Sequence, residues 1–419
     1  MKYIVWTAYD ILYAMALFIS MPFFGNRFFG RDRMYHDFLE RIAVYNKDIS
    51  PEFQNKSIWI HAVSIGELLA SFPLIKELSD KFKCNQIILS CVSRSARTIA
   101  EEKLPQNILK IFLPFDFSFV VDASIRKLKP CLFVSIEAEI WPNLFRTLKK
   151  HNTPIIILNG RISEQSFRTY AFFKIFLRKI IDCVDCFIMR TQKDAENIIK
   201  LGADKTKVSI AGSMKFDYAY HLSQNYPCEQ SEKTIVFGSI HRGEEEPIAE
   251  IIKGIIQKYS DINVVIVPRA LDRTNIYQIL RQKKIHFEKF SNHGTSHSRV
   301  LVVDKYGVLT DFYRKCEFAF IGGSLVPAGG QNPIEPLAFK KPVIYGKFHE
   351  DFEDEWKKIL EAGAGFEVKS FEELSEKIDF LIKNPQISSS MGKSGYEMIL
   401  KNSGRISDII QVLEKYIVR

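Results

Sequence analysis

The chain has 419 residues, 46% of them hydrophobic and 26% charged, with a formal net charge of +9. That length allows two domains of ordinary size, and that composition excludes a disordered chain. The positive balance favours anionic partners, such as nucleotides, phosphorylated lipids or an acidic membrane surface, and no zinc-ligand array or RNA-binding aromatic signature points to nucleic acid.

The chain opens on YIVWTAYDILYAMALFISMPFF, residues 3–24, whose one charge is Asp10 and which is followed by Arg27, Arg31 and Arg33. A run of that length predicts an anchor helix over 1–26 that crosses a bilayer, and the arginines after it predict a cytoplasmic body. No small-residue cleavage site is evident, so the anchor is expected to stay uncleaved. Asp10 and the many aromatics leave open a helix lying in the interface instead. Both readings place the protein at a membrane.

Strand-like and helical runs then alternate. SIWIHAV leads into ELLASFPLIKELSDKF, QIILSCV into SARTIAEEKL, and KIFLPF into a helix ending near residue 129. CLFVSIE, TPIIILNG, CFIMR and VSIAG continue the series, with WPNLFRTLKKH and KDAENIIKLG as helices. Apolar, β-branched strands separated by helices predict a parallel sheet covered on both faces. Residues 27–217 are expected to form this first Rossmann-like domain. The polar stretch 218–232, without apolar periodicity, is the expected linker. A second series (TIVFGSI, INVVIVPR, RVLVVD, EFAFIGGS, KKPVIYG and a helical tail) predicts a second Rossmann-like domain over 233–419, its last helix free to pack back on the first. The fold class is therefore α/β, with two parallel-sheet domains facing across a cleft and ligands at the strand carboxyl ends.

Several residue types at those ends can do chemistry. WIHAVSIGELLASF puts Ser64, Gly66 and Glu67 at a strand-to-helix turn. A carboxylate opening a helix near backbone donors is expected to stay ionised at neutral pH, as a general base must; simple dipole complementarity is the plainer reading. VSIEAEIWPNLF carries Glu137 and Glu139 at another strand end, and SIAGSMKFD places Lys215 beside the linker. In the second half FGSIHRGEEE holds Gly238, Ser239, His241, Gly243 and Glu244, VIVPRA ends in Pro268 and Arg269, and VDKYGVL contains Gly307. GGSLVPAGGQNPIEP, residues 322–336, supplies Asn332 and Glu335. Its glycines allow positive φ or close approach, and a Gly-rich loop opening a helix suits an anion. A solvated arginine and a first-turn carboxylate remain the plainer readings of Arg269 and Glu335. His61 and His241 stand alone and read as structural histidines or secondary contacts.

Neither GxxxxGK[ST] nor GxGxxG occurs, and no DxD or histidine cluster suggests a metal. Seven scattered cysteines, with one CxxC at Cys183 and Cys186, suit a reducing compartment. Phosphate charge must then be met by backbone dipoles and Lys/Arg.

Taken in order, HAVSIGE, IEAEIWPN, NGRISEQS, AGSMKFD, HRGEEE, VPR and GGSLVPAGGQNPIEP resemble the blocks of the 3-deoxy-D-manno-octulosonic acid (Kdo) transferases of lipopolysaccharide biosynthesis. The match runs from the first segment to about residue 350. This resemblance implies the two-domain GT-B glycosyltransferase fold, CMP-Kdo as donor substrate and no cofactor. It implies transfer with inversion to the lipid A precursor lipid IVA, at the cytoplasmic face of the cell inner membrane. It carries Glu67 onto the family's proton acceptor, and Glu137 and Lys215 onto its transition-state stabilisers. Pro268, Arg269, the stretch Tyr306, Gly307 and Val308, and the run Asn332, Pro333, Ile334 and Glu335 fall on its CMP contacts. The glycines of 322–336 would let backbone approach the CMP phosphate, and Glu335 would hold the ribose.

There are departures: Ala138 and Ile140 stand where members often have Thr and Leu, Val308 where a Glu is common, and no His-Pro follows Arg269. Two other readings stay open, a GT-B enzyme for UDP-sugars (a transferase or epimerase) and a non-catalytic lipid-binding membrane protein. SFRTYAFFKIFLRKII, residues 166–181, mixes Arg168, Lys174, Arg178 and Lys179 with Phe172, Phe173, Phe176 and Leu177. With Arg41, these cations predict an anionic-membrane contact, unless the helix is an ordinary core helix with a basic edge.

Overall fold

The structure, a computed structural model, describes residues 2–28, 32–45, 57–82, 87–229, 233–292 and 298–417. It divides into two compact units, Met1–Met214 with Gly404–Arg419, and Lys215–Ser403.

The first unit is built on strands β1 (Ser57–Ala62), β2 (Ile87–Cys91), β3 (Leu109–Phe112), β4 (Pro130–Ile136), β5 (Ile155–Gly160), β6 (Cys186–Met189) and β7 (Val208–Ile210). They pair in parallel in the order β3-β2-β1-β4-β5-β6-β7. Every residue of β1, β2, β5 and β6 is buried, as a sheet with helices on both faces requires. Trp59 and Phe133 meet edge to face in its core, with ring centroids 5.2 Å apart. The chain winds outward in opposite directions from β1 and β4, so the crevice at their carboxyl ends is this unit's switch point.

The second unit repeats the plan with β8 (Thr234–Ile240), β9 (Asn263–Pro268), β10 (Glu288–Lys289), β11 (Val300–Val302), β12 (Cys316–Ile321), β13 (Val343–Gly346) and β14 (Gly365–Val368). Their order is β10-β11-β9-β8-β12-β13-β14, again parallel, with the switch between β8 and β12. Two edge strands are additions to the sequence reading. β10 is too short to show a period, and β14 is four residues inside the stretch read as a helical tail.

Two segments differ from expectation, and a third, the last helix, packs back on the first unit as the sequence allowed. Lys2–Phe28 does form one helix, but among the described residues no helix is long and apolar enough to cross a membrane. The anchor expected over 1–26 is therefore not a membrane span. Its polar residues are engaged with the first unit instead. Asp10 accepts from the Ser118 N–H at 3.1 Å and from Asn143 Nδ2 at 2.7 Å. Tyr9 donates to Asp116 at 2.8 Å, and Trp6 lies against Phe176 and under the Arg146 guanidinium. Of the basic residues read as flanking it, Arg31 lies outside the described residues. Arg41 turns inward, donating to the Val92 carbonyl at 2.5 Å and lying over the Phe112 ring, so it is no membrane-facing cation.

The stretch read as a linker is helical over much of its length, in Met214–Asn225. Met214, Tyr218, Ala219 and Leu222 are buried at helical spacing, a pattern that counting tyrosine as polar concealed. Residues 230–232 lie outside the described residues. Finally, the helix Ile406–Ile417 belongs to the first unit, where it buries Ile406, Ile409, Ile410 and Leu413. It packs on the helix Ile65–Phe82, with a Lys81–Glu414 ion pair at 2.7 Å.

Candidate active-site residues in the two units

At the end of β1 the chain turns through Val63 and Ser64 into the helix Ile65–Phe82. Ser64 and Glu67 form a reciprocal cap. The Glu67 N–H donates to Ser64 Oγ at 3.3 Å, Ser64 Oγ donates to Glu67 Oε1 at 2.9 Å, and the Val63 N–H donates to Oε2 at 2.7 Å. A cap alone would hold the carboxylate ionised. Here burial, and then the charge of Glu137, push its pKa up to about 8 against those hydrogen bonds. The expectation of a fully ionised Glu67 at neutral pH is thus corrected, because burial first, and then its acidic neighbours across the sheet, outweigh its local donors.

Those neighbours sit at the end of β4. Glu137 has φ 62°, a left-handed conformation costing a non-glycine residue about 1 kcal/mol, and its N–H reaches the Leu158 carbonyl at 2.8 Å. Glu139 follows, its pKa raised by burial and by Glu137. Three carboxyl groups therefore converge at the switch point of the first sheet. His61, one strand position earlier, is fully buried, pushed down to about 4, and lies 2.9 Å from Ser90 Oγ. It is a structural histidine.

Lys215 belongs to the second unit. Its Nζ lies 3.9 Å from Glu355, a carboxylate with no solvent exposure, and 4.0 Å from the centre of the Phe352 ring. Glu355 is a partner that the sequence reading did not single out.

The donor-type residues gather at the carboxyl ends of β8, β9, β11 and β12. Pro268 closes β9 and is buried, whereas Arg269 is exposed, its N–H donating to the Ile240 carbonyl at 2.9 Å. The Tyr306 hydroxyl accepts from the Leu271 N–H at 3.0 Å, joining the loops after β9 and β11. Gly307 has φ 83° with open space around it, and Val308 opens the helix Leu309–Lys315. Asn332 accepts from the Ile334 N–H at 3.1 Å and donates to Glu335 Oε1 at 3.0 Å. Thr310 donates to Glu335 Oε2 at 3.3 Å, while Pro333 and Ile334 are buried and can offer a ligand only backbone.

A family model described as 3-deoxy-D-manno-octulosonic-acid transferase (kdotransferase) matches residues 36–218. The Kdo transferase of Aquifex aeolicus is 31% identical over 326 residues, 78% of this chain and 86% of that protein. The chain belongs to the Kdo transferase family. A bifunctional glycosyltransferase/methyltransferase of Fusobacterium nucleatum is 32% identical over 93% of this chain, which spans only 61% of that protein's length. Among solved structures, the UDP-GlcNAc 2-epimerase of Neisseria meningitidis bound to UDP-GlcNAc superposes with a TM-score of 0.59 at 14% identity, over 86% of this chain and 100% of that one. At that identity the likeness speaks for the two-domain GT-B fold alone.

In this member of the Kdo transferase family the glycines of 322–336 serve the loop itself. A Cβ on Gly322 would stand 2.4 Å from the Ser239 carbonyl oxygen, and one on Gly323 (φ 69°) would stand 2.9 Å from the His241 ring. The loop's amides are also turned inward. Gly322 donates to the Gly238 carbonyl at 2.8 Å, and Gly323 and Leu325 donate to Glu244 at 2.7 and 3.1 Å. Glu244 is fully buried, and it accepts the His241 N–H at 2.8 Å as well. Burial raises its pKa against these backbone donors. A carboxylate of the protein thus occupies the amide cluster that the sequence suggested for a phosphate. Its signal was present as a capping spacing, His241 to Glu244, in which Glu244 also donates its own N–H to the His241 carbonyl at 3.1 Å.

Proposed function

We propose that the protein transfers Kdo from CMP-Kdo to lipid IVA by one inverting displacement, without a metal, at the cytoplasmic face of the inner membrane. The observation that carries this reading is the cluster of Glu67, Glu137 and Glu139 at the ends of β1 and β4, in a chain of this family. Glu67 takes the proton from the acceptor hydroxyl as that oxygen bonds to the anomeric carbon. The bond from that carbon to the phosphate oxygen breaks, and its electron pair leaves with CMP. Arg269 and Lys215 meet the charge that develops, and Glu335, held by Asn332 and Thr310, accepts from a ribose hydroxyl. Glu137 stabilises the transition state through its charge on Glu67 and the reacting sugar.

Docking on an anionic membrane is supported by the outer face of the first unit. Ile11, Leu12, Met15, Phe18 and Ile19 of the first helix are exposed, as are Phe119, Phe172, Phe173 and Ile175. Tyr9 stacks on Phe176, and Tyr13 meets Phe117, which stacks on Phe119, so these segments adjoin. Exposed Arg168, Lys174, Arg178 and Lys179 flank the phenylalanines.

The test is product mass after incubating the purified chain with CMP-Kdo and lipid IVA in the presence of EDTA. A product heavier by one or more Kdo units is expected. Activity that disappears with EDTA would remove the metal-free step, and an inert mixture that instead consumes a UDP-sugar would remove the donor assignment.

A further inference from the structure

The loop that carries Glu137 and Glu139 runs directly into the helix Pro142–Lys150, so the start of that helix fixes one end of the loop. Pro142 has no N–H, and the first two helical amides are therefore those of Asn143 and Leu144. Trp141, just before them, offers no side-chain cap. Both amides donate instead to the carboxylate of Asp116, at 3.1 and 2.8 Å, a cap brought in from the turn after β3. Burial pushes Asp116 up to about 6 against these donors.

Asn143 is fully buried, and its side-chain amide is saturated. Nδ2 donates to Asp10 at 2.7 Å and to the Asp116 carbonyl at 2.6 Å. Oδ1 accepts from Ser118 Oγ and from Arg146, each at 3.1 Å. Asp10 also takes the Ser118 N–H at 3.1 Å, and the adjacent Tyr9 hydroxyl donates to Asp116 at 2.8 Å. Two consecutive residues of the first helix thus hold both the cap and a residue that it caps. Asp10 is the one charge in residues 3–24. It lies on the side where Trp6 and Tyr9 meet Phe176, while Ile11, Leu12, Met15 and Phe18 are exposed. An apolar docking face has no need of a carboxylate, and leucine would serve it as well. A satisfied buried network, in contrast, specifies one arrangement of the groups that it joins.

We infer that Asp10 is a positioning residue for the transfer reaction: through Asn143 it fixes the start of the helix Pro142–Lys150, and so holds Glu137 and Glu139 beside Glu67. This rests on the transfer reading above. The upstream end of the loop is tied separately, by the Glu137 N–H on the Leu158 carbonyl and by Ser135 Oγ on the Glu139 carbonyl at 3.3 Å. Asp10 secures the other end.

The experiment compares full-length wild type, Asp10→Leu and Asp10→Asn. Leucine removes the acceptor and makes the first helix more apolar, so a role confined to membrane docking predicts no loss. Asparagine keeps the oxygen that Ser118 and Asn143 reach. With CMP-Kdo and lipid IVA, Asp10→Leu is expected to lower kcat about tenfold, with the KM for CMP-Kdo unmoved, because a small misplacement of reacting groups is costly. With Glu137 less firmly held, Glu67 should titrate lower, and the midpoint of the kcat/KM profile against pH should fall below that of wild type. Hydrogen exchange at the Asn143 and Leu144 amides should run about tenfold faster in Asp10→Leu. Asp10→Asn should stay near wild type in all three. An unmoved midpoint overturns the inference, as does an Asp10→Leu kcat within twofold of wild type or an asparagine variant no better than leucine. A wild type that transfers no Kdo removes the transfer reading instead. The exchange rates then stand on their own, and equal rates in wild type and Asp10→Leu would show that Asp10 does not set the start of this helix.

Discussion

With its pKa pushed up to about 8, Glu67 is mostly protonated at pH 7, and only the fraction bearing a free carboxylate can take a proton from an acceptor hydroxyl. kcat/KM should therefore rise by about tenfold per unit as pH approaches 8 and level off above it, a profile that initial rates across pH 6 to about 9.5 would trace. Glu67→Gln should lose on the order of a hundredfold or more in turnover at every pH, with CMP affinity retained. The same shift has a sign for stability. The folded protein holds this proton more tightly than the unfolded chain, in which a glutamate titrates near 4.5. The favourable contribution is complete below that value and is lost as pH rises through about 8. Glu67→Gln should accordingly melt higher, relative to wild type, at pH 9 than at pH 5. A melting difference that is the same at both pH values would show that Glu67 is ionised throughout.

Among the loops, Glu244 ties the turn after β8 to the turn after β12 through the N–H groups of His241, Gly323 and Leu325. Glu244→Gln turns an amide NH₂ toward donors already pointing inward, and one hydrogen bond becomes a clash of like groups. We expect the KM for CMP-Kdo to rise several-fold to tenfold, with kcat and acceptor KM much less affected. A general loss of folding would not produce that split. The strands themselves were legible, because fully buried parallel strands read as unbroken apolar runs such as TIVFGSI and INVVIVP. Strand ends also pointed to Glu67, Glu137, Arg269 and Asn332. Less legible was what surrounds each of them. The charge state of Glu67 depends first on its burial and then on Glu137, seventy residues on and brought near only by the pairing of β1 with β4. The glycines of 322–336 looked like an anion cradle because a loop shaped around an internal carboxylate has the same composition. Asp10 was a lone charge in an apolar run until Ser118 and Asn143 were seen to receive it.

At the scale of the whole chain, the proposed lipid acceptor makes the two outward-facing stretches of the first unit the surfaces to test for membrane docking. Phe172 is 83% and Ile175 is 87% exposed, whereas Phe176 and Leu177 pack inward, so the helix with mixed phenylalanines and cations has both a core side and an open side. Phe172→Ser with Phe173→Ser should lower cosedimentation with vesicles rich in anionic phospholipid by about tenfold, while CMP affinity stays unchanged. Undiminished cosedimentation would leave the exposed residues of the first helix as the docking face. The helix Ile406–Ile417 has a consequence of another kind. The first unit takes its final helix from beyond the end of the second, so it is discontinuous in sequence while the second is not. During synthesis, residues 215–403 emerge as one uninterrupted block that can close on itself, whereas the earlier 1–214 must wait with an apolar face uncovered. The order of completion on the ribosome is then the reverse of the order of translation, and the half that carries Glu67 is sealed last.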